Sequence, residues 1–410
     1  MLAPPYDIIS PTQRRELLEQ DPHNVVRIEL PADLGSAGPE DYAAAAAIAA
    51  DWRRDGILVK DAEPTVTVHQ MRWTDAEGQA RSATGLLVRL KLEEYGTDAG
   101  VLPHERTHGG PKEDRYQLLE ATQLNTSPLI FLAGSDPAAT SAALLPLTQQ
   151  PPDASATTAD GVAHQVWIRT SDDAAAVLDL MAAEPVTIAD GHHRYETALK
   201  YRADRHRDAA DDDSTWDYLL ALIYPLDQSP PALPTHRVIR GRPCGQDLLE
   251  RLRPYFSVES LPDRSALVAR MAEPVDLEPG ATGTGRIGLY TNGTAAMLTV
   301  DRSATDALLD ADLSESSKGL DVNALSVAID RAYGDDPATM AGDGRLWYVK
   351  DAQVATQQVE DEEASASFLL DGMPPAAIPS VAEAGEVMPQ KSTYFDPKAP
   401  TGLVISPLEW

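Results

Sequence analysis

The sequence predicts an α+β fold in which mixed sheets are flanked by helices. Residues 65–71 and 83–92 lie on either side of a turn that contains glycine, an arrangement typical of a β-hairpin. Residues 172–183 have one apolar face and predict an amphipathic helix. Residues 186–199 begin as a short buried strand and turn directly into a helix. The presence of both a hairpin and a strand–helix unit in one chain favours this fold class.

The other elements are indicated by helix caps, apolar runs and turn residues. In chain order they are a helix that Ser10 caps and Pro11 starts, a strand at 25–30, an alanine-rich helix at 42–52, a helix at 113–122, a core segment at 129–132, a buried strand at 219–224, a hairpin around Asn292-Gly293 and a helix at 320–333. Residues 136–163 are rich in Ala, Thr, Pro and Ser and are expected to form a surface loop or a weak helix. We divide the chain into an N-terminal region at 1–135, a central region at 136–240 and a C-terminal region at 241–410.

Composition and charge exclude several classes of protein. The chain has 410 residues, of which 43% are hydrophobic, so it is expected to be globular and not disordered. It lacks both an 18-residue apolar run and a basic, apolar leader, and we therefore expect no membrane partner and a cytoplasmic location. The formal net charge of -30 repels nucleic acid, so a phosphate-bearing ligand needs a local basic pocket or a divalent cation. The single cysteine, Cys244, excludes an internal disulfide and argues against cysteine catalysis.

The strand–helix unit carries the first group of candidate functional residues, Asp190, Gly191, His192, His193 and Arg194. Asp190 is expected to be the helix N-cap, and Gly191 has no Cβ to obstruct a close approach. A helix N-terminus that carries two histidines and an arginine favours the binding of an anion. The alternatives are a purely structural cap and a metal site. The metal site is the weaker of the two, because consecutive helical residues point about 100° apart.

A second group lies in a loop rich in Gly and Pro between a predicted strand and a predicted helix. It comprises His104, Glu105, Arg106, Thr107 and His108. A carboxylate beside an imidazole can serve as a general base or can hold a metal ion, and loops between rigid elements often carry catalytic groups. The alternative is a solvated charged loop.

Two further segments contain candidate anion contacts. Lys391 and Ser392 resemble the end of a phosphate-binding loop, although the GxxxxGK pattern is absent, and they are interpreted as secondary phosphate contacts. His236 and Arg237 lie beside a predicted strand and form another possible anion contact.

Four motifs resemble those of the bacterial and archaeal family called domain of unknown function 1015. They are APPYDIIS at 3–10, PHERT at 103–107, IADGHHRYETAL at 188–199 and MPQKSTYF at 388–395. The motifs are long and occur in the expected order, so the resemblance covers essentially the whole chain.

The DGHHR motif is also similar to that of free-serine kinases in the ParB/sulfiredoxin-like superfamily, which phosphorylate L-serine to O-phosphoserine. This resemblance implies a ParB/sulfiredoxin-like core that bears the motif between a strand and a helix. It also implies that Gly191, His192, His193 and Arg194 contact nucleotide phosphates and that Asp190 is a cap or a metal-side ligand. Those kinases use a glutamate as the base on the serine hydroxyl. The candidate here is Glu105, which is chosen on the chemistry of its loop alone.

The leading hypothesis is a Mg²⁺-dependent small-molecule kinase that uses ATP or ADP and acts on a hydroxy amino acid, with free L-serine as the first candidate. His192 and Arg194 offset charge on the transferred phosphoryl group, and Glu105 accepts the hydroxyl proton. His104 is a further phosphate contact. The main alternative is a nucleotide-binding regulatory module related to ParB-type switches, which needs no general base. A metallohydrolase that uses His104 and His192 is a third hypothesis, and the lack of a cysteine near the motif argues against a sulfiredoxin-like role.

Overall fold

The computed structural model describes residues 1–76, 78–95, 100–105, 112–134, 136–208 and 214–408. The chain divides into two compact units. Unit 1 comprises Met1–Pro103, Thr107–Pro230 and Pro397–Trp410, and unit 2 comprises His104–Arg106 and Pro231–Asp396. Both units take residues from separate parts of the chain, whereas the three regions expected from the sequence are successive. Whether those regions correspond to domains stays a prediction.

Unit 1 is built on an eight-stranded mixed sheet. Its helices are α1 Pro11–Gln20, α2 Val26–Glu29, α3 Pro39–Arg54, α4 Lys112–Thr122, α5 Pro137–Leu144, α6 Ala175–Ala182 and α7 His192–Asp208. Its strands are β1 Thr65–Thr74, β2 Ala80–Lys91, β3 Val101–Leu102, β4 Leu124–Asn125, β5 Leu129–Ala133, β6 Ala154–Thr157, β7 Ala163–Thr170, β8 Val186–Asp190, β9 Tyr218–Pro225 and, near the C-terminus, β18 Ser406–Pro407. The order in the large sheet is β3-β8-β5-β9-β2-β1-β7-β6, and β18 pairs with β4. The β3–β8 and β5–β9 pairs are parallel, and the other neighbours are antiparallel.

Strand β8 and helix α7 position the first group of candidate residues. Because β8 lies between β3 and β5, its residues Val186 and Ile188 are buried in the main core of unit 1. Tyr195, on the first turn of α7, is fully buried in the same core, and its hydroxyl donates to the Glu93 carbonyl at 2.9 Å. Ala198 is also buried. The apolar face that the sequence predicts for this helix therefore fixes α7 against the sheet.

Unit 2 contains a six-stranded antiparallel sheet and shorter helices. Its strands are β10 Ala232–Leu233, β11 His236–Ile239, β12 Phe256–Leu261, β13 Arg286–Thr291, β14 Thr294–Val300, β15 Leu346–Val349, β16 Ala366–Leu370 and β17 Tyr394–Phe395. Its helices are α8 Gly245–Leu252, α9 Arg264–Met271, α10 Arg302–Asp306, α11 Glu315–Lys318, α12 Asp321–Tyr333, α13 Pro337–Gly342, α14 Ala352–Glu360 and α15 Ala377–Glu383. The sheet order is β12-β14-β13-β16-β11-β15, and β10 pairs with β17.

The mixed α+β architecture that the sequence predicts is confirmed, together with several of its local signals. Ser10 caps α1 in a capping box with Gln13, and Pro11 is the first helical residue. The turn at Asn292-Gly293 joins β13 to β14 as expected. Among the described residues, no helix is both long enough and apolar enough to cross a membrane.

Two local predictions are wrong. Residues 25–30 were expected to form a strand, but they contain the short helix α2, because the Asn24 side chain accepts a hydrogen bond from the Val26 amide and starts a helical turn. Residues 136–163 are expected to form a surface loop or a weak helix; the helix α5 agrees with this, but the prediction is wrong at the edge strand β6. Strand β6 is exposed throughout. Its sequence therefore shows no alternation of apolar and polar residues that would predict a strand.

The sheet of unit 1 buries a pair of histidines, His69 on β1 and His164 on β7. Their rings are stacked with centroids 5.4 Å apart, and His69 Nε2 lies 3.1 Å from His164 Nδ1. His164 also contacts the Thr158 hydroxyl through Nε2 at 3.2 Å. Burial lowers the pKa of His69 to about 3 and also lowers the pKa of His164. Both rings are therefore neutral in the folded protein at neutral pH.

We predict that acid destabilises the protein through His69. The pKa of this histidine is lower in the folded state than in the unfolded chain, so the unfolded chain binds the proton more tightly and stability is lost as the pH falls below about 6.5. A fall from pH 7 to pH 5 should cost about 2 kcal/mol of unfolding free energy through this group. Urea unfolding at the two pH values measures the total loss, and His69→Phe should reduce it by about 2 kcal/mol. The remainder includes His164 and His236, whose pKa values burial also lowers. An acid loss of equal size in His69→Phe and in the unaltered protein would contradict the assignment.

Candidate functional site

The DGHHR motif lies at the junction between β8 and α7, one residue out of register with the prediction. Asp190 is the last residue of β8, and α7 begins at His192. The Gly191 carbonyl accepts the first helical hydrogen bond from the Tyr195 amide at 3.0 Å. Gly191, and not Asp190, therefore occupies the N-cap position. The difference arises because strand pairing with Ile130 on β5 extends to Asp190, which the sequence of β8 alone does not reveal.

Gly191 is required at this junction for two physical reasons. Its φ angle is +104°, a conformation that residues with a side chain rarely adopt. A Cβ atom placed there would lie 2.9 Å from Leu129 Cγ and 3.0 Å from Arg194 Nη2. The absence of a side chain thus lets the strand end and the helix start approach each other closely.

Arg194 holds the junction together from the first turn of α7. Its Nη1 donates to Ser127 Oγ at 2.9 Å and to the Pro128 carbonyl at 3.0 Å. Its Nη2 donates to Asp190 Oδ2 at 3.2 Å. The side chain is only 14% exposed. Three of the five guanidinium N–H groups are thus used within unit 1.

Lys398 is the functional candidate that sequence reasoning missed. Its Nζ donates to Asp7 Oδ2 at 3.1 Å and to Asp190 Oδ1 at 3.3 Å, and its side chain is 10% exposed. It follows MPQKSTYF by three positions, and Asp7 belongs to APPYDIIS. The signal that could have indicated it is a lysine beside a family-like motif in a chain where acidic residues greatly outnumber basic ones.

These contacts set the ionisation of the cluster. Burial opposes ionisation of Asp190, but the charges of Lys398 and Arg194 outweigh it and hold the pKa of the carboxyl below its usual range, with a smaller effect from His192. Burial likewise opposes the charge on Lys398, but Asp190 and Asp7 raise its pKa. Both groups are therefore charged at neutral pH.

Asp190 fits an ion pair better than a metal site. Its Oδ1 accepts from Lys398 and its Oδ2 from Arg194, so each oxygen already contacts a cation. A divalent ion needs those lone pairs, and it would be repelled by the two cations. No group of three or more His, Cys, Asp or Glu side chains that could hold a metal ion occurs among the described residues.

His192 and His193 are the first two residues of α7, and both are half-buried. The first amide groups of a helix have no carbonyl partner within the helix, and the helix dipole places partial positive charge there. The junction thus combines the first amides of a 17-residue helix with two imidazoles. This combination is chemically suited to phosphate or another oxyanion.

The second group of candidates lies in unit 2, together with the MPQKSTYF segment. Glu105 forms a parallel bridge with Met388, whose amide donates to the His104 carbonyl at 2.8 Å. The Lys391 amide lies 3.3 Å from Glu105 Oε1. His104 is 1% exposed, and its Nε2 lies 3.1 Å from the Thr393 hydroxyl. The structure thus brings His104 and Glu105 together with residues 388–393 within one unit.

Lys391 and Ser392 occupy a tight turn in this cluster. Lys391 has a positive φ of 58°, and its carbonyl accepts from the Thr235 hydroxyl. Ser392 is 3% exposed and donates to the Pro389 carbonyl at 2.5 Å. Arg106, Thr107 and His108 of the predicted loop lie outside the described residues.

We predict that Gly191→Ala lowers the unfolding free energy by about 2 kcal/mol, because it combines an unfavourable φ with contacts to Leu129 and Arg194 that are too short. Chemical denaturation measures this change. Gly385→Ala is the matched control: its φ is +72° and no atom lies within 4 Å of the added Cβ, so it should cost only the backbone preference, about 1 kcal/mol. Equal losses in the two variants would show that the close approach at Gly191 does not matter.

We predict that Lys398→Met lowers the unfolding free energy at pH 7 by about 2 kcal/mol or more, because it leaves Asp190 and Asp7 without their shared cation. A double-mutant cycle with Asp7→Asn should give a coupling energy of about 1 kcal/mol. Arg54→Met removes exposed ion pairs and should leave stability almost unchanged. Full stability in Lys398→Met would refute the organising role of this lysine.

Comparison with solved structures finds distant similarity only. A free serine kinase in complex with AMP is 11% identical, with a TM-score of 0.36, 76% of this chain covered and 86% of that chain. A conserved hypothetical protein from Pyrococcus furiosus is 14% identical, with a TM-score of 0.36 and coverages of 79% and 95%. C-terminally truncated SbnI from Staphylococcus aureus is 12% identical, with a TM-score of 0.37 and coverages of 78% and 87%.

No curated protein is significantly similar to this chain. The family model described as protein of unknown function (DUF1015) matches residues 1–323, which include three of the four motifs. The chain therefore belongs to the DUF1015 family.

Proposed function

We propose that this protein is a nucleotide-dependent kinase that phosphorylates the hydroxyl of a small molecule, with free L-serine as the first candidate substrate. The observation that carries the proposal is the junction at Asp190-Gly191-His192, where a glycine with positive φ opens the N-terminus of a long helix that two histidines begin. The similarity of this motif to that of free-serine kinases supports the choice of reaction. A ParB/sulfiredoxin-like core and a cytoplasmic location belong to the same proposal.

The phosphates of ATP or ADP bind at the start of α7. The amides of Gly191 to Arg194 donate to phosphate oxygens, and His192 and His193 add positive charge in their protonated forms. Arg194 has two guanidinium N–H groups beyond the three that bind Ser127, Pro128 and Asp190. Asp190 and Lys398 keep the junction in place and do not themselves contact the nucleotide in this proposal.

Glu105 accepts the proton of the substrate hydroxyl. Its carboxylate lies beside the Lys391 amide and the bridge to Met388, which restrict its orientation. Lys391, Ser392 and His104 are secondary phosphate contacts. Mg²⁺ enters with the nucleotide as part of the substrate, and the chemistry depends on positioning and on electrostatic stabilisation of the transferred group.

We predict that the purified protein forms O-phosphoserine from L-serine when it is supplied with MgCl₂ and either ATP or ADP. Mass spectrometry of the amino acid product measures the reaction. His192→Ala should weaken nucleotide binding, because it removes an imidazole from the phosphate end of α7, whereas His23→Gln, at a half-buried histidine that precedes α2, should not. Absence of turnover with a panel of nucleotides and hydroxy amino acids, in a sample shown to be folded by circular dichroism, would reject the kinase.

Glu105→Gln separates a kinase from a regulatory module that only binds nucleotide. Loss of a general base should lower kcat by about 10²-fold or more while the nucleotide Kd changes little. Glu383→Gln, at an exposed glutamate of α15, is the matched control and should retain full turnover. Nucleotide binding without turnover in the unaltered protein would favour the regulatory module.

A further inference from the structure

Arg237 is a buried cation whose role the proposed function does not explain. It lies on β11, between β16 and β15, and is 6% exposed. Its Nη1 donates to the Thr235 carbonyl and, at 3.3 Å, to the Thr235 hydroxyl. Its guanidinium carbon is 5.4 Å from the centre of the Tyr348 ring. These contacts orient the guanidinium but provide no negative charge.

The missing counterion distinguishes Arg237 from other shielded arginines. Arg115 is 5% exposed and lies 2.5 Å from Asp114 and 3.6 Å from Glu29. Arg237, by contrast, has no carboxylate within 4 Å in the part of the chain that the structure describes. A buried charge without a partner is costly, and an anionic ligand would offset that cost. Burial lowers the pKa of Arg237 to about 10, so the side chain remains protonated at neutral pH.

Arg237 opens into a small pocket within unit 2. The pocket is lined by Thr235, Ser392, Asp321, Asp371 and Gly372 among others. The two carboxylates are already neutralised, because Asp371 pairs with Arg286 at 2.6 Å and Asp321 pairs with Arg302 at 2.6 Å. Among the pocket residues that the structure describes, Arg237 is therefore a cation without an ion pair within 4 Å, and the Glu105 carboxylate acts on its charge over a longer distance.

The other polar groups of the pocket wall are acceptors. The Thr235 hydroxyl donates its proton to the Lys391 carbonyl, and the Ser392 hydroxyl donates to the Pro389 carbonyl. The Ser392 oxygen is consequently left as an acceptor, and the Thr235 oxygen keeps one lone pair beside the hydrogen bond that it accepts from Arg237. Among the described residues, Asp371 Oδ1 accepts one hydrogen bond, from Arg286, and can accept another, whereas both oxygens of Asp321 are occupied by Thr284, Gly285 and Arg302. A ligand that suits this wall has an anionic group for Arg237 and a hydrogen-bond donor beside it. A zwitterionic α-amino acid has both, whereas inorganic phosphate at neutral pH is mainly an acceptor.

We propose that this Arg237 pocket binds the carboxylate of a free α-amino acid. The guanidinium donates two parallel hydrogen bonds to the carboxylate, and the ammonium group of the amino acid donates to the acceptors of the pocket wall. The inference rests on the proposed function in one respect, since it names the part of the protein that recognises the amino acid substrate. Thr235 contacts Lys391, whose amide contacts Glu105, so the pocket is connected to the candidate base through two residues.

The test measures amino acid binding by calorimetry without nucleotide. The unaltered protein should bind L-serine at least 10-fold more tightly than L-serinamide, which lacks the carboxylate. Arg237→Met should abolish this preference, and Arg240→Met, which changes an exposed arginine beyond the end of β11, should preserve it. Arg237→Lys keeps the charge without the planar fork and should retain only part of the preference, which provides a readout if Arg237→Met does not fold. Equal affinity of the unaltered protein for the two ligands would overturn the proposal, as would binding of phosphate but not of L-serine.

The two proposals can fail separately. Serine binding that depends on Arg237, without formation of phosphoserine, would reject the kinase and keep the amino acid site. Phosphoserine formation by Arg237→Met with an unchanged KM for L-serine would reject the site and keep the kinase.

Discussion

The ion pairs of Lys398 with Asp7 and Asp190 are the interaction on which the organisation of the DGHHR junction depends. They bring Asp7 and Lys398, which are 391 residues apart in the chain, together at the end of β8. Arg194 completes the cluster by pairing with Asp190, so two cations face two carboxylates and their charges cancel. Because this cluster is neutral, an anion at the start of α7 would be attracted mainly by the helix dipole and the histidines. The cluster thus fixes geometry, and the helix terminus provides the chemistry.

The fold was predictable where the signal is local. Ser10 and Gln13 lie within one helical turn of each other, so their capping box is visible in the sequence. The prediction failed at 25–30, because a short run with four apolar residues suits a strand and a buried helical turn equally well. The side chain of Asn24 decides between them by accepting the Val26 amide, and composition does not encode that geometry.

The candidate site was predictable in its motifs but not in their grouping. Residues 188–199 formed the expected strand, turn and helix, since all the contacts that define the turn are close in sequence. Lys398 was missed because its partners lie 208 and 391 positions away. The pairing of Glu105 with Lys391 spans 286 positions, and it depends on β-bridge formation that no periodicity reports. Side chains that act through distant partners are therefore the part of a site that a single sequence conceals.

The conformation of Gly191 argues that the junction is more than a structural connection. A strand can pass into a helix through Ser, Asp or Asn in an ordinary extended conformation, with a side chain that caps the first amides. Here the N-cap residue has a φ of +104° and, being glycine, has no side chain that could cap the first amides. Glycine also lowers the stability of the folded protein, because it loses more conformational entropy on folding than other residues do. A junction that has glycine in place of an ordinary capping residue is consistent with the proposed binding of phosphate at the start of α7, where the helix dipole and the two histidines favour an anion.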